Sequence, residues 1–328
     1  MNRRFALNRI SGLLAIAAST GSTSLLAQAD KTVSIVVPYA PAGTTDMLGR
    51  MLALQLAPLL GRQIVVDNRP GAGSGIGAAY VARALPDGNT LLVATSTTLS
   101  INPWLYKKLN YDPAKDFAPI GMIGAVPLLV VVNASLPVKN MEELLALSKL
   151  RPAGLSYGSA GNGSPHHLGV EMFKAQTGAN LVHVPYKGSA LAVTDLLGGQ
   201  IDVMFTDIPP ALAHVKSGRL RALAVTSLKP LSALPNVPTV AASGVAGTRG
   251  FEAVAWQCLV APAGTPKEII SNYSEQLAKV MAQPALREKL ERDGFDPGAS
   301  TPDELAAYIK TETERWGKVI RASGAIIG

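Results

Sequence analysis

From residue 33 onward the chain alternates short runs of β-branched and apolar residues with longer segments of helical period, and no other feature narrows its fold as far. Strands are expected at 33–37, 64–67, 91–94, 128–132, 155–157, 181–184, 203–205, 222–226 and 254–261. Helices are expected at 47–60, 76–84, 141–149, 165–177, 190–197, 266–281, 285–293 and 302–323. Such alternation builds βα units around mostly parallel sheets with helices on their faces, so the expectation is an α/β fold with about ten strands in two sheets.

Two strand-like segments reach further than a βα unit needs: 128–133, and 254–261 behind the glycine-rich stretch 244–250. Taken as crossings, they assign residues 30–129 plus 252–328 to lobe 1 and residues 130–251 to lobe 2. That is the layout of hinged two-lobe binding proteins.

The N-terminus reads differently from the rest. Arg3, Arg4 and Arg9 precede an apolar run at 10–18, and Ala27-Gln28-Ala29 supplies a small-x-small site. This is the pattern of a cleavable export signal at 1–29, cut after Ala29, and its apolar run is short for a membrane span. Arg3-Arg4-Phe5 leaves the twin-arginine route open beside the general one. The mature chain is therefore expected in the periplasm.

Removing the three arginines of the signal leaves 27 Lys+Arg against 23 Asp+Glu. The surplus is small and spread along the chain, with no basic cluster interleaved with aromatics, so nucleic acid is not an expected partner. Apolar residues at 48% and charged residues at 16% suit a packed globular chain. Cys258 is the single cysteine, which excludes an internal disulfide and a multi-thiolate metal site. Neither a metal nor a cofactor is expected.

Four strand-to-helix junctions share a composition. The first runs Tyr39-Ala40-Pro41-Ala42-Gly43-Thr44-Thr45-Asp46. Its glycine and threonines offer backbone N–H groups, hydroxyls and the positive end of a helix dipole, which suit a carboxylate. Asp46 either caps the helix or takes a donor group of the ligand. The second is Ser159-Ala160-Gly161-Asn162-Gly163-Ser164-Pro165, where Ser164 and Pro165 mark a helix start and the preceding residues are looser than capping requires. The third is Thr95-Ser96-Thr97-Thr98, and the fourth ends a strand at Asp207. Ligands of open α/β sheets sit at the carboxyl ends of strands, where all four junctions fall. With the first and third in one lobe and the second and fourth in the other, a ligand with two anionic ends would bridge the lobes and favour closure.

Other patterns compete. Gly73-Ser74-Gly75-Ile76-Gly77-Ala78 fits a dinucleotide fingerprint, but the acid expected about twenty residues on is missing, and Asp87 lies in a Pro-Asp-Gly turn. His166 and His167 near Ser159, Ser164 and Asp207 allow a hydrolase triad to be imagined, although no nucleophile-elbow sequence supports it. His at a helix start is commonly structural or ligand-contacting, and His166 is kept as a ligand candidate. His183 and His214 are isolated, without metal-ligand spacing.

The chain resembles the tripartite tricarboxylate transporter substrate-binding proteins, also called Bug receptors. The resemblance runs from about Val33 to the C-terminus. It is carried by Asn68-Arg69-Pro70-Gly71-Ala72-Gly73, Pro86-Asp87-Gly88, Asn102-Pro103, Tyr111-Asp112-Pro113, His183-Val184-Pro185-Tyr186-Lys187-Gly188, Gly198-Gly199, Leu220-Arg221-Ala222-Leu223-Ala224-Val225, Ala261-Pro262-Ala263-Gly264-Thr265-Pro266 and Trp316. It implies a two-lobed fold like the type II periplasmic binding proteins, monomeric and non-enzymatic. Such a receptor captures a small organic acid, a mono- or dicarboxylate, and delivers it to a carrier of one large and one small membrane subunit. It further implies that the loop from Ala42 to Asp46 holds the ligand carboxylate, with help from the loops at Thr95-Ser96, Ser159 to Ser164, and Asp207. Orphan members of the family are thought to serve membrane sensor kinases, which stands as the second reading; a Ser/His hydrolase is the third. Three departures bear on ligand identity. Ala42 replaces a glycine and has less freedom at positive φ, Val170 stands where a Gly is frequent, and Trp256-Gln257-Cys258 replaces a Trp-x-Gly.

Overall fold

The βα alternation closes into two sheets that share one long strand. The computed structural model describes residues 32–323, so the expected signal at 1–29 lies outside the described residues. In lobe 1, β1 (Val33–Val37), α1 (Thr44–Leu60), β2 (Ile64–Asn68), α2 (Gly75–Ala82) and β3 (Thr90–Thr95) follow in order. They form a parallel trio with β1 between its neighbours, in register at Val36↔Asp67 and Ile35↔Leu91. After a π-helical turn (Thr97–Ile101) and the short α3 (Asn102–Leu105), β4 (Phe117–Asn133) runs on for 17 residues. Lobe 2 holds α4 (Met141–Leu150), β5 (Leu155–Ser159), α5 (Pro165–Thr177), β6 (Leu181–Pro185), α6 (Ser189–Leu197), β7 (Val203–Asp207), α7 (Ile208–Lys216) and β8 (Leu220–Val225). The chain returns through β9 (Val254–Pro262) to α8 (Lys267–Met281), α9 (Pro284–Arg292), β10 (Asp296–Pro297) and α10 (Pro302–Ser323).

The order of strands is β2-β1-β3-β9-β4-β7-β5-β6, with β8 and β10 also paired to β4. The expectation of mostly parallel sheets is corrected here. Each lobe has a parallel trio, but β9 runs antiparallel to β3, and β4 runs antiparallel to β9, β7 and β8. The two sheets are mixed because the crossing strands enter each lobe against the direction of its βα units. The first half of β4 was not expected as strand: Pro119, Gly121, Gly124 and Pro127 punctuate it, and the ladder accommodates them by register shifts at Pro119/Gly121 and Met122/Gly124. Pro209 and Pro210 likewise hid α7, although both occupy its first turn, where a missing N–H costs nothing.

Local signals account for the elements that position the cleft. Leu48, Leu52 and Leu56, spaced by four, are buried along one stripe of α1. The helix ends at Gly61, in the left-handed region at φ 60°, where a side chain would be strained. Ser164 caps α5 by accepting from the His167 N–H, and Pro165 follows at its first position. Strands β4 and β9 are buried along most of their length, and one apolar core runs through both lobes around them, with Ile120, Val130, Phe205, Phe251 and Leu259 among its members.

The two crossings are fastened to each other by Thr226, fully buried just beyond β8. Its Oγ1 accepts from Leu128 N at 2.8 Å and donates to Ala253 O, and its own N–H and C=O bond to Leu128 O and Ala253 N. Thr226→Val keeps the shape and strands a buried N–H and a buried carbonyl, a loss of about 1–3 kcal/mol. Urea unfolding should show a lower midpoint at an unaltered slope; an unchanged midpoint would refute this fastening role.

Candidate functional site

The carboxyl ends of the strands of both lobes open onto one small cavity of about 30 Å³ between the sheets. Lobe 1 lines it with Tyr39, Gly43, Thr44, Thr45, Thr95, Ser96 and Thr97; lobe 2 with Ala160, Pro165, His166, Gly188, Ser189 and Asp207. Ala255 and Gln257, on the crossing strand β9, complete the wall. The first turns of α1, α5 and α6 and the N-cap of α7 therefore converge on one small space, each bringing the positive end of a helix dipole and N–H groups without helical partners.

Five buried side-chain atoms of this lining have no hydrogen-bond partner in the protein: Thr44 Oγ1, Ser96 Oγ, Thr97 Oγ1, His166 Nδ1 and Gln257 Oε1. Buried polar atoms are nearly always paired, so five around one space mark a surface shaped for a polar ligand. A larger groove of about 770 Å³ runs along α2 past Arg69, Ile76, Tyr80, Arg83 and Lys108, but none of the unpartnered buried atoms belongs to it. The small cavity is the better candidate on chemistry, whatever its size.

Asp207 and His166 form the charged corner. His166 Nε2 lies 3.0 Å from Asp207 Oδ1, and Ser189 Oγ donates to Oδ2 at 2.9 Å. Burial works against ionisation of Asp207, but His166 and Ser189, both bonded to it, outweigh burial and hold its carboxyl below the usual range. On the other side, Tyr39 OH lies 3.4 Å from Thr95 Oγ1, which continues to Thr98 at 3.1 Å and Ser74 at 2.9 Å. Burial raises the Tyr39 phenol, which stays protonated.

Of the residues expected at the site, Tyr39, Gly43, Thr44, Thr45, Thr95, Ser96, Ala160, His166 and Asp207 line the cavity. Ala42, Asp46, Ser159, Gly161, Asn162 and Ser164 stand outside that lining and shape the loops behind it. Asp46 has the capping role: Oδ2 accepts from Ala42 N and Arg50 Nε, both at 2.9 Å, and Oδ1 accepts from Asn68 Nδ2 at 2.9 Å. This clamp holds Ala42 at φ 67°, the positive value that its side chain disfavours. Ser159 Oγ accepts from Gly161 N at 3.1 Å and lies 2.6 Å from His183 Nε2, and Ser164 Oγ donates to Gly161 O at 2.7 Å. Asn162 reaches across the cleft, its carbonyl facing Gly73. The imagined triad does not assemble, because Ser159 is fully buried against His183 while His166 turns to Asp207.

Six further residues line the cavity: Thr97 and Pro165, which belong to the third and second junctions, and Gly188, Ser189, Ala255 and Gln257, which were not expected there. Gly188-Ser189 is a fifth strand-to-helix junction, after β6, masked by the neighbouring Lys187. It also brings the lobes together: Ala40 N donates to Lys187 O at 3.1 Å across the cleft. No local pattern marks Gln257, a polar residue within an otherwise apolar strand, except that isolation itself.

Beneath the 159–164 loop, His167 and His183 stack at 4.0 Å, and Tyr157 lies beside the pair, 4.9 Å from His183 and 6.4 Å from His167. His167 Nδ1 accepts from Gly163 N at 3.0 Å and so must be unprotonated there. Burial lowers His167 against the pull of Glu171, and burial followed by the charge of His167 brings His183 down to about 3. Folded values below the ordinary 6.5 mean that this contribution to stability is complete above pH 6.5 and is lost as pH falls toward about 3. Thermal melts should decline over that interval, and His183→Phe, which keeps a stacking ring, should flatten the decline. An equally steep acid limb in the variant would exclude His183 as its source.

Comparisons with known proteins agree with this geometry. The model of the tripartite tricarboxylate transporter family receptor matches residues 48–325. Protein BugT of Bordetella pertussis is 35% identical over 324 residues, covering 97% of this chain and 98% of the relative. Among solved structures, an R. palustris protein with adipate superposes with a TM-score of 0.87 at 37% identity, over 90% of this chain and 97% of that one. MatC from Rhodopseudomonas palustris, with bound malate, gives 0.83 at 30% identity over 88% and 99%.

Proposed function

Because the chain belongs to the tripartite tricarboxylate transporter receptor family, whose members are solute-binding receptors and not enzymes, we propose that it captures a small organic carboxylate between its lobes and hands it to a membrane carrier. The observation that carries this reading is the convergence of helix N-termini and unpartnered buried hydroxyls on a cavity whose lining contains neither lysine nor arginine. Oriented dipoles hold an anion in such a site without a full counter-charge, so release stays possible. The relatives solved with adipate and malate support a carboxylate as the ligand class.

In this reading Gly43, Thr44 and Thr45 receive the carboxylate from lobe 1, Ser96 and Thr97 flank it, and Ala160, His166, Ser189 and Asp207 meet it from lobe 2. The residues from Ala42 to Asp46 and Ser159 to Ser164 that lie outside the cavity wall keep these groups in place. Residues 30–129 with 252–328, and 130–251, act as two bodies that swing on β4 and β9. The receptor works as a monomer in the periplasm after loss of residues 1–29, and its partner is a carrier of one large and one small membrane subunit. Among the described residues no helix is long and apolar enough to cross a membrane.

A thermal-shift screen of the mature protein against small mono- and dicarboxylates, with neutral sugars as controls, tests the reading. A true ligand at a hundredfold excess over Kd adds about 2.7 kcal/mol of stability. Thr44→Ala and Ser96→Ala should each weaken binding roughly 10- to 100-fold, as expected for a lost hydrogen bond to a charged group, and leave the melting point of the free protein nearly unchanged. A shift produced by sugars and by no carboxylate would overturn the reading.

A further inference from the structure

The cavity that receives the acid in this reading already holds a carboxylate. Asp207 is 4% exposed, with His166 Nε2 on one oxygen and Ser189 Oγ on the other. His166 is 5% exposed, and its second nitrogen, Nδ1, has no partner in the protein. An entering carboxylate brings a second negative charge close to Asp207 where little water screens it. That encounter is strongly opposed unless a positive charge is supplied. Helix ends supply only partial charges.

The groups around His166 narrow the source of that charge. Asp207 faces it from the end of β7. From lobe 1, Tyr39 is an acid whose ionisation would add a further negative charge, and Asp46 and Arg50 are bonded to each other. On α5 itself, Glu171 and Lys174 bond to each other and Glu171 also accepts from Tyr157, while His167 stacks on His183. From α6 and β9 come Ser189 and Gln257, which are uncharged. Within the cavity lining, His166 is therefore the side chain that gains a positive charge by taking a proton, on its unpartnered Nδ1.

We propose that the receptor binds its acid together with one proton, taken up on His166. Nε2–H donates to Asp207, the new Nδ1–H donates to the ligand carboxylate, and the three groups form a chain of alternating charge. The proton comes from solvent and returns there on release. The inference rests on the reading of the cavity as an organic-acid site. It makes His166 the group that distinguishes a carboxylate from its neutral amide, and Asp207 the group that makes the proton necessary. Where the free protein holds a neutral imidazole, affinity falls up to tenfold for each unit of rising pH.

Isothermal titration calorimetry of the mature protein with malate, adipate, succinate, lactate and benzoate, in buffers of low and high ionisation enthalpy, counts the protons. At pH 8 the expected uptake is close to one per acid bound, and affinity should decline from pH 6 to 9. His166→Gln should abolish uptake and flatten the pH dependence. Asp207→Asn removes the need for the proton, so proton uptake at pH 8.5 should fall toward zero in that variant, which a merely structural role for Asp207 would not produce. Binding of an acid by the wild type with no proton taken up between pH 6 and 9, or uptake that persists in His166→Gln, overturns the inference and leaves the organic-acid reading standing. Failure of all five acids to bind overturns both.

Discussion

Helix N-termini that face a space with no protein acceptor are the constraint on which the rest of this molecule depends. A first helical turn leaves N–H groups that must be satisfied from outside the helix. Here α1, α5, α6 and α7 all start at the carboxyl ends of strands, and the sheets aim those ends at each other. The lining follows from that: hydroxyls and backbone near the dipoles, a buried carboxylate balanced by an imidazole, and no long cationic side chain. An anion is the group that such a wall stabilises, and a wall of dipoles holds it less tightly than a buried guanidinium would.

The crossing strands decide whether this arrangement can move. β4 belongs to both sheets and β9 pairs with it and with β3; both run antiparallel to their neighbours, and the core continues around them from one lobe into the other. Their pairing spans Phe117↔Pro262 to Pro127↔Val254, so the lobes are joined by a hydrogen-bonded ladder rather than by a loose linker. Gln257 sits on this ladder and on the cavity wall at once.

Much of this was legible in the sequence. The βα alternation, the Ser164-Pro165 helix start and the hydroxyl-rich junctions are local features, and local features survive in a linear text. Nine of the fifteen residues expected at the site line the cavity. The six others stand behind that wall: which way a loop side chain turns is set by partners remote in sequence, Asn68 for Asp46 and His183 for Ser159. The first half of β4 and all of α7 were hidden by prolines that tertiary context places at bulges, edges and first turns, where they are harmless. Gln257 and Ser189 reach the cavity wall only through the fold, which leaves no signature along the chain.

The hydrogen bond from Ala40 N to Lys187 O joins the rims of the two lobes through main-chain atoms alone. Short of proline at position 40, no substitution removes either partner. The side chains inside the cavity can therefore change without touching the main-chain bond through which the two rims meet. A receptor built this way can acquire a new ligand without having to relearn how to shut.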